Sequence, residues 1–267
     1  MLNLTLILLR HAESVWTHDG KFTGWSDVNL SEVGIEEEKK ASERLKEFCI
    51  ARIFTSVLQR SIMSAEIVCA VTGQSPPVES DWRLNERHYG ALEGMSKKEA
   101  TLQYGDETVR AWRRGYHTHP PPVERTDPRH PCHDSKYVQL TPDQLTSGES
   151  PEDVFNRVLL WYNQVLLPLL QQHMPEQQTS EQQTPDSSLT VLVVAHGTPL
   201  RMLMKLLEGT PEEEIEQFEL PSAVPIVYNI RYNTTQNRTI AGKSILMDPD
   251  EFRTRQQQVK AQSNPKA

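Results

Sequence analysis

The chain has 267 residues and a formal net charge of −8, with 36 aspartates and glutamates against 28 lysines and arginines. That balance argues against nucleic acid as a partner, which needs a broad basic face, but leaves room for a locally basic pocket that takes a small anion. With 24% charged and 37% hydrophobic residues, the composition is that of a soluble globular protein long enough to bury a substantial core. Cys49, Cys69 and Cys132 are too few and too scattered for a disulfide framework. No apolar run approaches the ~18–20 residues of a membrane span. The first apolar run meets Arg10 too early for a signal peptide. A cytoplasmic protein with no membrane partner is expected.

In chain order, the first element is the short apolar run 4–9, which reads as a buried strand and stops at Arg10-His11. A polar loop over 17–30 precedes a helix predicted over 31–48, with Ser31 as N-cap and Gly34 as its weak point. A strand is expected over 52–56 and an amphipathic helix over 57–72, closed by Gly73. Residues 76–94 show no sustained period and concentrate Arg83, Glu86, Arg87, His88 and Tyr89; irregular stretches of this length in compact domains are usually functional or disordered. Ser96 to Glu99 reads as a capping box, a helical segment ends at Arg114, and 120–148 reads as a loop-rich excursion. A further helix is predicted over 150–170.

The stretch 171–188 is rich in Gln, Ser, Thr and Pro and predicts a disordered insertion, because it cannot bury enough apolar surface to order itself. A second strand over 189–195 then runs into His196-Gly197, with Thr198-Pro199 expected as N-cap and first residue of the helix 199–208. A short helix around 211–218, a hairpin of 224–232 with 238–241, and a mobile polar tail from 248 complete the chain. One catalytic domain over 1–247 is expected.

Two strands that each end in histidine are the feature around which the chemistry organises. In open α/β sheets ligands bind at the carboxyl ends of strands, and a helix N-terminus beside His196 favours an anion. If the strands are neighbours, His11 and His196 can flank one phosphorus atom. An imidazole beside the Arg10 guanidinium suits acceptance of a phosphoryl group. Alone, Arg10-His11 equally fits an ordinary surface pair. His117, His119, His130 and His133 with Cys132 match no standard zinc spacing, so no metal is expected.

The motifs RHAES, FTGWSD, FTSVLQRS, WRLNERHYGALEG, WRRGY, PPP and AHGTPLR occur in an order that resembles the 2,3-bisphosphoglycerate-dependent phosphoglycerate mutases of the histidine phosphatase superfamily. The resemblance spans about residues 3–247. It implies a three-layer αβα sandwich with a mostly parallel central sheet. It implies that His11 is the phosphorylated nucleophile, that Arg10, Arg60 and His196 stabilise the transition state, and that Glu86 donates and accepts the proton. It implies that Ser14, Thr17, Thr23, Gly24, Gly197 and Thr198 surround the phosphate, and that Arg87, Tyr89, Lys97, Arg113 and Arg114 hold the rest of the substrate. On pattern alone, Arg113 and Arg114 equally fit a solvated helix face.

The implied reaction is interconversion of 3-phosphoglycerate and 2-phosphoglycerate, primed by 2,3-bisphosphoglycerate without a metal, in a possible homodimer. A bisphosphoglycerate mutase/phosphatase or another histidine phosphatase using the same nucleophile, and an inactive binding or scaffold member, are the alternatives. The chain departs from the family at Ala12, where glycine is usual, at Thr17 and Thr198, where asparagine is usual, and in its tail.

Overall fold

The computed structural model describes residues 1–174, 187–233 and 238–263. Six strands, β1 (Leu2–Arg10), β2 (Arg52–Thr55), β3 (Val78–Ser80), β4 (Ser187–Ala195), β5 (Pro225–Tyr232) and β6 (Arg238–Ile245), form one sheet in the order β3-β2-β4-β1-β5-β6. β3, β2, β4 and β1 are parallel, whereas β5 runs opposite to both its neighbours. The helices are α1 (Val15–His18), α2 (Glu32–Glu43), α3 (Gln59–Thr72), α4 (Lys97–Tyr104), α5 (Asp106–Arg114), α6 (Pro151–Trp161), α7 (Leu167–Gln172), α8 (Gly197–Glu208), α9 (Glu212–Gln217) and α10 (Pro249–Ser263).

β1 and β4 show why the sheet is covered twice. In both, burial alternates over the first residues and becomes continuous toward the carboxyl end. Leu2, Leu4, Leu6 and Leu8 pack with Val158, Trp161, Leu200 and Leu203 of α6 and α8. Ile7 and Leu9 pack on the other side with Ala41, Ala65 and Val68 of α2 and α3. Parallel strands buried on both faces read as apolar runs, and the expected three-layer αβα architecture follows.

Ser31 caps α2, its hydroxyl accepting from the Gly34 N–H at 3.0 Å. Gly34 is not a weak point: a Cβ there would lie 2.0 Å from the Glu13 carbonyl oxygen, so the glycine lets α2 press against the turn after β1. The predicted helix 150–170 is capped by Ser150 and Asp153 but contains a π turn over Tyr162–Leu166. Pro168 explains it, because its missing N–H breaks the regular ladder next to that turn.

Of the Gln-rich stretch 171–188, residues 175–186 lie outside the described residues; the first two close α7 and the last two open β4. The hairpin forms as β5 and β6, with 234–237 outside the described residues.

The tail from 248, expected to be mobile, is helical over Pro249–Ser263, and 264–267 lie outside the described residues. Asp248 accepts from the N–H groups of Asp250 and Glu251, which starts α10. Phe252 is buried against Val224 and Met247, Arg255 pairs with Glu251 on the same helix and with Glu37 of α2, and Gln256 donates to the Glu219 carbonyl at 2.9 Å. A single aromatic anchor with ion pairs orders a segment whose composition carries no apolar period. No described helix is long and apolar enough to cross a membrane.

Candidate active site

The register of β1 on β4 pairs Leu9 with Val194 and Arg10 with Ala195, and the His11 N–H donates to the Ala195 carbonyl at 3.0 Å. His11 and His196 therefore leave the sheet at the same level, their ring centroids 4.9 Å apart and nearly edge-on. His11 Nδ1 lies 2.6 Å from the Ala12 carbonyl oxygen and donates to it, which leaves the lone pair on Nε2. Burial, then the charges of Arg60 and Arg10, hold the His11 pKa well below its ordinary value, against the opposing pull of the Ala12 carbonyl. The ring is thus neutral and nucleophilic at neutral pH.

His196 is held in the same direction by burial, then Arg60 and His11. Its Nε2 is 2.7 Å from the Ser56 hydroxyl, while Nδ1 is buried with no partner among the described residues. Ser56 Oγ already accepts from the Leu58 N–H, so its hydrogen is free for Nε2. In that arrangement His196 Nδ1 carries the ring proton.

The guanidinium groups nearest these rings are fixed by main-chain carbonyls. Arg60, buried on α3, donates to Gly24 at 2.7 Å and Ser26 at 2.9 Å; burial lowers its pKa to about 10 against the pull of Glu86 and Glu93, so it stays charged. Arg10 donates to Leu220 at 2.6 Å, and its Nε is buried without a partner among the described residues. Gly24 has a φ of +55°, and a Cβ there would sit 1.8 Å from Glu93 Oε1. Glu93 in turn accepts from the N–H groups of Trp25, Ser26 and Tyr89. One buried carboxylate so ties the loop that holds Arg60 to the segment that carries Glu86.

Glu86 meets the start of α8, next to His196. Its oxygens accept from the Arg87 N–H at 2.8 Å and the Thr198 N–H at 3.2 Å. Burial raises its pKa, but these two donors with Arg10 and Arg201 outweigh burial and leave it below the ordinary carboxylate value. The side chain rests ionised, ready to take a proton rather than give one. Its own carbonyl is pinned by Trp25 Nε1 at 2.7 Å and Arg157 Nη2 at 2.9 Å. α8 starts at Gly197 with His196 in the capping position, so Thr198 is not the N-cap but lies in the first turn, where its N–H has no partner within the helix and donates to Glu86.

One cavity gathers Arg10, His11, Thr17, Thr23, Gly24, Arg60, Glu86, Tyr89, Lys97, Arg113, Arg114, Gly197 and Thr198. Ser14, Arg87 and His196 do not border it. His196 is fully buried and packs against His11. Ser14 caps α1 and bonds the Thr17 hydroxyl at 2.8 Å, placing a residue that does reach the cavity. Arg87 is buried, stacks over the Tyr89 ring at 4.6 Å and donates to the Trp112 carbonyl, so it supports Tyr89. Ala12 is fully buried and takes no positive φ, which explains why a methyl is tolerated there.

Sequence reading missed Lys21, Phe22, Arg201, Glu219, Leu220 and Val259 in the lining. Arg201 lies four residues beyond Gly197 on α8 and donates back to its carbonyl, a spacing readable from AHGTPLR once the helix is known. Val259 lies seven residues after Phe252, on the same face of α10. Arg114 pairs with Glu219. The histidines outside the cavity have other partners: His117 pairs with Glu152 and Glu212, His119 with Asp153, His130 accepts from the Cys132 N–H, and His133 bonds the Arg125 carbonyl.

A family model described as the histidine phosphatase superfamily (branch 1) matches residues 6–130 and 128–241. The chain belongs to the histidine phosphatase superfamily. It is 38% identical over 264 residues to a Porphyromonas gingivalis protein named 2,3-bisphosphoglycerate-dependent phosphoglycerate mutase, covering 98% of this chain and 99% of that one. Among solved structures, Bacillus stearothermophilus YhfR aligns with a TM-score of 0.62 at 25% identity, over 89% of this chain and 95% of that one. The mycobacterial glucosyl-3-phosphoglycerate phosphatase aligns with a TM-score of 0.63 at 22% identity, over 90% and 97%. The last likeness is one of fold. A superfamily member with this lining is an enzyme, with His11 the histidine after the first strand.

Proposed function

We propose that the enzyme interconverts 3-phosphoglycerate and 2-phosphoglycerate by phosphoryl transfer through His11. The observation that carries this reading is the two-part lining. His11, Arg10 and Arg60, which we call the inner group, gather at the strand ends for one phosphoryl, and Lys97, Arg113 and Arg114 of α4 and α5 add a second set of cations to the same cavity. A ligand with two anionic groups matches that division better than a simple phosphomonoester. The 38% identical relative carries the name of the same activity.

The buried, partnerless Nε of Arg10, a residue that borders the cavity, fits a phosphorylated ligand, since it is a donor that an anion oxygen would satisfy. When bound, 2,3-bisphosphoglycerate supplies the phosphoryl group that primes His11. Phospho-His11 then gives its phosphoryl to the free hydroxyl of the substrate: the P–N bond breaks, the P–O bond forms, and ionised Glu86 takes the hydroxyl proton. In the second half His11 Nε2 takes the other phosphoryl group, and Glu86 returns its proton to the departing oxygen. Arg10 and Arg60 offset the charge on the equatorial oxygens throughout. No step uses a metal ion. The proposal includes a cytoplasmic setting and a possible homodimer.

Incubation with labelled 2,3-bisphosphoglycerate tests this. Acid-labile label on the native enzyme, absent from His11→Ala, together with 3-phosphoglycerate turnover that exceeds phosphate release, is expected. Label with phosphate release dominant would mark a phosphatase instead, and absence of label would mark a scaffold.

A further inference from the structure

Glu38 of α2 takes no part in the transfer proposed above, yet it lies under the turn that carries His11. Its side chain is 0% exposed. Oε2 accepts from the Ala12 N–H at 2.8 Å and from the Ser64 hydroxyl of α3 at 2.7 Å. Oε1 is buried with no partner among the described residues. Ala12 is therefore gripped at both polar atoms: Glu38 holds its N–H, and its carbonyl takes the His11 Nδ1–H at 2.6 Å. The same turn is clamped to α2 a second time, where the Ser31 N–H donates to the Glu13 carbonyl at 3.0 Å and Gly34 lets that carbonyl approach.

An apolar side chain would fill this space between α2, α3 and β1 without the penalty of burying a carboxylate. We propose that Glu38 is a positioning residue for His11: by holding the Ala12 N–H it fixes the carbonyl that keeps the imidazole proton on Nδ1 and leaves Nε2 to attack. This rests on the reading of His11 as the phosphoryl acceptor.

The geometry gives the residue a titration that reports on its role. Burial raises the Glu38 pKa to about 7, the Ser64 hydroxyl and Ala12 N–H draw it down, and the neighbouring Glu37 charge raises it further. On its own helix Glu37 is the charge that acts on it; α3 presents the Ser64 hydroxyl, and the β1 turn presents the Ala12 N–H beside neutral His11. Above that pH the carboxylate is a strong acceptor for Ala12. Below it the neutral carboxyl is a weaker one. His11 itself titrates well below this window, so an inflection near 7 belongs to its neighbour.

The test is an imidazole nitrogen NMR titration of His11 in the full chain, paired with the rate of label uptake from 2,3-bisphosphoglycerate. In the native protein the His11 nitrogen shifts should pass through an inflection near pH 7 while Nδ1 stays protonated. In Glu38→Gln, which keeps an acceptor for Ala12, the inflection should vanish from both the shifts and the uptake rate. In Glu38→Ala the tautomer should become mixed and uptake should slow by about tenfold.

Native-like tautomer and native-like pH dependence in folded Glu38→Gln and Glu38→Ala would overturn the proposal. So would a native titration without the inflection, which needs no variant to fold. A native protein that shows the inflection but takes no label would overturn the phosphoryl-transfer reading and leave the positioning role supported by the tautomer.

Discussion

The inner and outer cations of the cavity are held by different means. Arg10 and Arg60 are anchored on the carbonyls of Leu220, Gly24 and Ser26, and His11 on that of Ala12. Main-chain atoms of packed loops do not move aside, so this part is shaped in advance for a single group of fixed geometry. Lys97 and Arg114 instead project from the start of α4 and the end of α5. Arg114 is tied to a side-chain carboxylate, that of Glu219, and such a partner can be exchanged for a ligand's anion. The rigid part suits the reacting phosphorus, which needs donors already in place. The exchangeable part suits a group that must be bound and released in two orientations.

The difference is most severely tested at His11, where replacement by alanine should lower turnover by about 10⁴-fold or more with native folding by circular dichroism. Arg60→Lys comes next: one ammonium cannot span the carbonyls of Gly24 and Ser26, and turnover should fall by about 10²–10³-fold with a smaller change in KM. In the outer set the effect should move to binding, so that Arg114→Gln raises KM for 3-phosphoglycerate by about tenfold and leaves turnover nearly unchanged.

A pH series separates the two sets further. Burial, then Arg113 and Arg10, lower the Lys97 pKa to about 8, so the cation is present below pH 8 and lost as pH rises through it. KM should therefore climb between pH 7 and 9, and Lys97→Arg should flatten that climb. The smallest effect has the opposite sign. Glu219→Gln removes one charged internal partner of Arg114 and should lower KM by about two- to fivefold. A rise in KM would show that the pair holds Arg114 in place rather than competing for it.

The strand-to-histidine units were legible in the sequence because β1 and β4 are apolar runs that end abruptly, and the parallel register does the rest. The caps at Ser31, Ser96 and Ser150 were legible for the same local reason: a hydroxyl three residues before an N–H that needs it. The start of α8 was not, because Thr198 reads as a cap by its residue type whereas the helix already opens at Gly197, and its first turn meets Glu86, 112 positions away in the chain. Gly34 looked like a defect in a helix, and only the approach of Glu13 shows it as a contact. Glu38 was hidden within the acidic run 36–38, since its burial depends on which turn packs above it. The order in α10 rests on Phe252 and long-range ion pairs that composition does not reveal.

The cationic lining also sets how a ligand arrives. A molecule carrying −8 overall repels a phosphorylated acid from afar, while Lys21, Lys97, Arg113, Arg114 and Arg201 of the cavity lining draw it in at close range. At about 0.1 M salt the screening length is about 10 Å, so the distant repulsion is hidden and the local attraction survives. Capture should then quicken as salt rises from very dilute buffer, pass through a maximum, and slow only when screening reaches into the hollow itself.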